Sequence, residues 1–180
     1  MADPCELIVY TCPTGPLADQ IAAFYQTSLA QHGPNSAHTY PPHITLTGFF
    51  HDDAASVDLY RAALSAALSQ ALPIMPPSPI AISGLLLRPD FLGLTIESLW
   101  LRALTADFAV KASSPTRRDA IRLKDWLHLS LAYSFAAEQF QPLKALALAM
   151  IDPATPVVWE LRLYERQPAA QWLCHGAWPL

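Results

Sequence analysis

Two histidines in this chain each stand two residues before a hydroxyl side chain, in His43-Ile44-Thr45 and His128-Leu129-Ser130. A bare tripeptide of this kind is a weak signal. Its setting strengthens it, because both copies fall in short runs of alternating character, His43 to Thr47 and Leu127 to Tyr133. Successive side chains of a strand point to opposite faces. His43 then shares a face with Thr45, and His128 with Ser130, while Ile44, Leu46, Leu127, Leu129 and Leu131 turn toward a core. Two imidazoles across one groove can supply a base and an acid without a metal, since an ordinary pKa of about 6.5 lets one be neutral while the other holds a proton. The hydroxyls supply hydrogen bonds to oxygen atoms on which charge grows.

The elements that must position these residues follow from periodicity and from Pro and Gly punctuation. Glu6 to Thr11 reads as a strand, and Leu17, Ile21, Phe24, Tyr25 and Ser28 recur at helical spacing until Gly33-Pro34. Residues 33–42 form a loop before the first motif strand. A helix on Val57, Tyr60, Leu64, Leu68 and Leu72 comes next, then a proline corner at 73–79 and two strands, Ile80 to Leu87 and Leu92 to Ile96, turned by Arg88-Pro89-Asp90. Leu101, Leu104 and Phe108 mark a third helix. The second motif strand is followed by a helix on Leu143, Leu146 and Met150 and by strands at Val157 to Glu165 and Gln171 to Ala177. A shift of 85 residues lays His43 on His128, Thr45 on Ser130 and Phe50 on Phe135, so the chain reads as a duplicated unit with halves at roughly 1–97 and 98–180. The expected fold class is α+β, a two-lobed single domain whose largely antiparallel sheets line a central groove, with helices on the outside.

Length and composition fit this reading. At 180 residues and 52% hydrophobic, the chain suits one domain with a sizeable core, and neither its composition nor its net charge of −4 fits disorder. The charge-free run Ala62 to Leu87 is long enough to span a membrane, but its prolines break any continuous helix. Met1 to Glu6 has no basic segment ahead of an apolar one, which gives the expectation of a cytoplasmic protein. Three cysteines without C-x-x-C spacing argue against a disulfide framework or a cysteine metal site. Residues 1–60 hold six acids and no Lys or Arg, whereas 111–124 holds Lys111, Arg117, Arg118, Arg122 and Lys124 against Asp119 alone. Such a local cluster can hold phosphate; a solvated loop is the plainer use.

On these residues the chain resembles the 2H phosphoesterases, the superfamily of 2′,5′ RNA ligase-like and cyclic phosphodiesterase proteins. Its defining feature is a pair of H-x-(T/S) motifs in a duplicated α+β unit, about eighty residues apart. The flanks Pro41-Pro42-His43-Ile44-Thr45-Leu46-Thr47 and Trp126-Leu127-His128-Leu129-Ser130-Leu131-Ala132-Tyr133 look like the family's strands, and the second is similar to the motif in the phosphoesterase domain of the ubiquitin-associated, SH3-containing TULA proteins. The resemblance implies a metal-independent hydrolase that opens a 2′,3′-cyclic phosphate or related phosphodiester of a nucleotide or short RNA end. His43 and His128 would be its acid and base and Thr45 and Ser130 its phosphate holders. No cofactor, metal, membrane or obligatory protein partner is implied, and a monomer is expected. The alternative on the same fold is a non-catalytic module that binds RNA ends or a phosphorylated ligand.

Parity extends the site. Lys124 and Trp126 share the face of His128 if the strand begins early, the first to meet phosphate and the second to stack on a base, although a tryptophan is more often a core residue. Thr47 shares the face of His43; Tyr40, Phe49 and Tyr133 flank the motifs, Tyr133 on the wrong parity but near the strand's end. Arg162, on the polar face of a later strand, is a candidate further phosphate contact, though pairing with Glu160 or Glu165 is its plainer use. A zinc site from His32, His38 and His43 lacks the i, i+4 spacing of a helical motif.

Overall fold

The computed structural model describes residues 4–76 and 78–180; Pro77, in the expected proline corner, lies outside them. The elements run β1 (Cys5–Thr14), α1 (Pro16–His32), β2 (Ile44–Thr45), β3 (Phe50–Asp52), α2 (Val57–Ala71), β4 (Ala81–Arg88), β5 (Phe91–Glu97), α3 (Leu99–Lys111), β6 (His128–Tyr133), α4 (Phe140–Met150), β7 (Val158–Gln167) and β8 (Gln171–Pro179). Pro16 opens α1, where its missing N–H costs nothing, and Gly33 ends it. The helix and strand expected over Ala62 to Leu87 are present, and among the described residues no helix is long and apolar enough to cross a membrane.

All pairings are antiparallel, and the fold is α+β. The expected two-lobed arrangement is realised as one continuous sheet in the order β4-β5-β6-β2-β1-β7-β8, with β3 pairing on β1. Read outward from the β6–β2 seam, β5 and β4 lie on one side and β1 and β7 on the other, so each histidine motif sits at the seam. Burial follows strand parity. Leu7 and Val9 of β1 and Leu161 and Leu163 of β7 join Phe24, Leu64, Phe108 and Leu143 of the four helices in the main core. The alternate residues Ile8, Tyr10, Cys12 and Tyr164 form a smaller cluster on the opposite face. Helices therefore cover one face, and the other is free to hold a site.

One close approach shapes the seam. Gly93 of β5 pairs with Ser130, and a side chain there would begin 2.5 Å from the Leu129 carbonyl and 2.6 Å from the Phe91 ring. The register shifts at the same place, from Leu92 opposite Ala132 to Gly93 opposite Ser130, so β6 carries a bulge at Leu131. Gly93→Val is expected to lower stability by about 1–3 kcal/mol through overpacking, read as a fall in Tm of about 2–4 °C per kcal/mol for a chain of this size. An unchanged Tm would show that β5 and β6 separate freely.

Candidate active site

The seam sets the geometry of the two motifs. Ile44 of β2 lies opposite Leu129 of β6, both fully buried, and antiparallel register then places His43 opposite Ser130 and Thr45 opposite His128. The four side chains occupy the corners of a quadrilateral on the open face, histidines on one diagonal and hydroxyls on the other. Opposed Cβ atoms of such a ladder lie about 4.5–5.5 Å apart and diagonal ones about 7–8 Å. That diagonal accommodates one tetrahedral anion between two imidazoles, with a hydroxyl on each remaining side.

A cavity of about 410 Å³ stands over the quadrilateral and is lined by His43, Thr45, His128 and Ser130 together with Tyr40, Thr47, Lys124, Trp126 and Tyr133. Its size suits a small organic ligand. Tyr133 reaches it because the bulge at Leu131 resets the alternation of β6: Leu131 and Ala132 are both buried, and Tyr133 emerges on the side of His128. Thr47 is fully buried, and its Oγ1 accepts a 3.0 Å hydrogen bond from the Val9 amide, which pins this wall to β1.

Each imidazole lies flat against an aromatic ring. His43 stacks on Tyr10 with centroids 3.8 Å apart, and His128 stacks on Trp126 at 3.9 Å. One face of Trp126 is thus taken by the histidine rather than left for a base; the indole is 45% exposed and its other neighbour is Phe91 at 5.5 Å. His43 Nδ1 is 2.7 Å from the Pro41 carbonyl. A carbonyl only accepts, so in the neutral ring Nδ1 carries the hydrogen and Nε2 keeps its lone pair. Burial pushes the His43 pKa down to about 4, with the Pro41 carbonyl opposing and His128 adding to the shift. Burial lowers His128 as well, with the Trp126 backbone opposing and the Lys124 ammonium adding to it. His128 Nδ1 is buried and meets no described group at full hydrogen-bond geometry, and the Trp126 backbone beside it favours the protonated ring.

No family model matches the chain. It is 33% identical over 170 residues to the ecdysteroid-phosphate phosphatase of Bombyx mori, across 92% of this chain, and 34% identical over 167 residues to human ubiquitin-associated and SH3 domain-containing protein B, across 91%. The match spans 25% of each of those relatives, so the activity in a relative's name is that of a protein about four times as long. In fold the chain is similar to E. coli LigT, crystallised with phosphate, at a TM-score of 0.51 and 18% identity over 99% of both chains. The chain has that fold, and in its two H-x-(T/S) motifs it resembles the 2H phosphoesterases. Both motifs that define the superfamily lie at its cavity.

Sequence reasoning missed the cavity residues Ile8, Tyr10, Gly48 and Phe91 of this domain, and it took Arg122 only as one member of the basic cluster; Phe49, which flanks the first motif, lines the cavity too. Parity held a signal for two of them: Arg122 continues the series Lys124, Trp126, His128, and Tyr10 lies on the alternate face of a strand whose other face is core. The basic segment divides. Lys111 pairs with Asp107 at 2.5 Å and Arg117 donates to the Ala112 carbonyl, whereas Arg122 and Lys124 line the cavity. Arg162 does not join the site. It pairs with Glu160 at 2.5 Å and donates to the Tyr164 hydroxyl at 2.9 Å, since Tyr10 stands between its register position and the seam. His38, weighed as a metal ligand, caps a turn: its Nδ1 accepts from the Asn35 amide and its Nε2 meets the Ser28 hydroxyl at 3.0 Å. Among the described residues no cluster of three or more His, Cys, Asp or Glu is placed to hold a metal ion.

Proposed function

We propose that this domain hydrolyses a phosphodiester, the 2′,3′-cyclic phosphate of a nucleotide or short RNA end, with His43 as general base and His128 as general acid. The diagonal placement of the two imidazoles carries the reading. Water attacks phosphorus from the His43 side, and Nε2 takes its proton. The bond from phosphorus to the opposite ribose oxygen breaks, and His128 gives that oxygen a proton, leaving a phosphomonoester and a free hydroxyl. Thr45 and Ser130 donate hydrogen bonds to the non-bridging oxygens, where charge builds in the transition state. His43 suits the base because the Pro41 carbonyl fixes its tautomer and burial keeps it neutral. In the complex the substrate anion favours the protonated form of His128 and offsets the Lys124 ammonium. On this reading the domain works on a small substrate without cofactor, membrane or obligatory protein partner, in the cytoplasm.

The test is hydrolysis of a 2′,3′-cyclic nucleotide in the presence of EDTA, with the product identified as the 2′- or the 3′-phosphate. No turnover across a panel of cyclic nucleotides and 2′,5′-linked oligomers would overturn it. The pH profile supplies a second check. The base must be deprotonated, so kcat/KM rises with pH through about 4, where His43 loses its proton. The acid must be protonated, so kcat/KM falls again at the lowered pKa of His128, below the ordinary 6.5 or so. In kcat, which reports the bound complex, the second limb moves upward. A single alkaline limb above the ordinary histidine value in kcat/KM would count against the assignment.

The lowered values also favour a second reading, a module that holds a phospho-ligand without turnover, because an imidazole that stays neutral near pH 7 is a poor general acid. A phospho-ligand binding module would keep its affinity after both histidines are changed to alanine and show no turnover.

A further inference from the structure

We propose that Arg122 and Lys124 form a second anion subsite, which takes a further phosphate carried by the substrate beside the one held between the histidines. Both line the cavity, and among the described residues neither side chain has an ion-pair or hydrogen-bond partner. Arg61, Lys111, Arg162 and Arg166, by contrast, are all paired with carboxylates. Two unpaired cations in a concave wall concentrate positive potential at that wall, and the group that answers them is an anion.

Their positions are built by the fold. Leu123 bridges Thr47, the Gly48 amide donates to the Arg122 carbonyl at 2.7 Å, and the Lys124 amide donates to the Leu46 carbonyl at 3.1 Å. Further along, the Arg118 amide donates to the His51 carbonyl at 2.9 Å. Both the amide and the Nδ1 of His51 meet Asp119 Oδ2, at 3.0 and 2.5 Å, so Asp119 is hydrogen-bonded to His51 and feels the Arg122 charge without pairing with it. The Arg122 guanidinium lies over Gly48, its Nε and one terminal nitrogen 3.3 Å from where a Cβ would stand. Bare backbone at Gly48 gives the planar group its seat.

The register places Lys124, opposite Leu46, beside the reacting centre, where its charge reaches His128, and carries Arg122 farther out, so the pair leads from the first phosphate to the second. Arg122 lies opposite Gly48, three residues beyond Thr45, or about 10 Å along the strand. One phosphate between His43 and His128 satisfies the hydroxyls and leaves Arg122 unanswered; a substrate with a second phosphate satisfies both. The ligand class is therefore a phosphodiester bearing another phosphate, as in a 2′,3′-cyclic nucleotide with a 5′-phosphate or the last nucleotide of an oligonucleotide. This rests on the phosphodiesterase reading for its substrate.

The experiment compares kcat/KM for a nucleoside 2′,3′-cyclic phosphate with and without a 5′-phosphate, at low and raised salt. The intact domain should prefer the 5′-phosphorylated compound by about tenfold or more at low salt, the factor expected of a charge-assisted hydrogen bond, with the preference shrinking as salt screens it. Arg122→Gln should bring the ratio close to one, and Arg122→Lys should restore part of it. A ratio near one in the intact domain, or one that Arg122→Gln leaves unchanged, would overturn the proposal. Calorimetry with a nucleoside 3′-monophosphate and the matching 3′,5′-bisphosphate reads the subsite without turnover. Tighter bisphosphate binding that Arg122→Gln abolishes, in a domain that hydrolyses nothing, would keep the subsite and refute the enzymatic reading. Circular dichroism of both variants identifies loss of folding.

Discussion

Replacing His43 by alanine is expected to cut kcat/KM on a 2′,3′-cyclic nucleotide by about 10²–10⁴-fold, the range of general acid–base contributions, and to cut it as deeply on an aryl phosphodiester. His128→Ala should match that loss on the cyclic nucleotide yet keep aryl phosphodiester activity within about tenfold of the parent, because a phenolate stabilised by its ring leaves without a proton from the general acid. The asymmetry follows from the seam. Both imidazoles reach one anion from opposite corners, but only His43 has a tautomer fixed by a backbone carbonyl, with Nε2 free to take a proton. The reverse pattern, aryl activity kept by His43→Ala and lost by His128→Ala, would exchange the two roles. If both variants keep full activity on both substrates, the site is not catalytic. His43 is half-buried and stacks on the buried Tyr10 ring, so the melting temperature of each variant must accompany the rates.

Thr45→Val and Ser130→Ala are each expected to lower kcat by about 10²–10³-fold, the cost of removing one preorganised donor from a growing negative charge. Valine keeps the branched shape of threonine, so Thr45→Val tests the hydroxyl and not the packing. Each hydroxyl stands opposite the histidine of the other motif, which puts the two donors on opposite sides of the phosphate. Loss should fall on kcat more than on KM, since the bonds strengthen as the oxygens gain charge. The double variant should lose less than the product of the two factors, because both donors serve one group. A change confined to KM would make these hydroxyls ground-state binders only.

Much of this was legible in the chain itself. Turn residues and periodicity placed all four helices and seven of the eight strands; β3, three residues at Phe50–Asp52, is too short to show a period and exists through its pairing with β1. Parity put Lys124, Trp126 and Thr47 at the cavity with the motifs. It failed for Tyr133, since a bulge at Leu131 is created by the close approach of β5 at Gly93, a contact no local pattern reports. For Arg162 parity gave the correct face but not the distance from the seam, and the pairing with Glu160 that the sequence offered as its plainer use is the one formed. The basic segment read as one cluster, and hydrogen bonds to residues 46–51 decide that only Arg122 and Lys124 of its five cations line the cavity.

The sequence by itself determined which residues could react and which face of each strand would carry them, because side-chain alternation is a local property of the extended backbone. It could not determine that His43 stands opposite Ser130 and Thr45 opposite His128. A slip of two residues keeps every side chain on its face and changes every partner, so parity is blind to it. Only the packing of two strands 85 residues apart, locked by buried Ile44 against buried Leu129, sets the histidines on a diagonal and so turns two unremarkable tripeptides into one site.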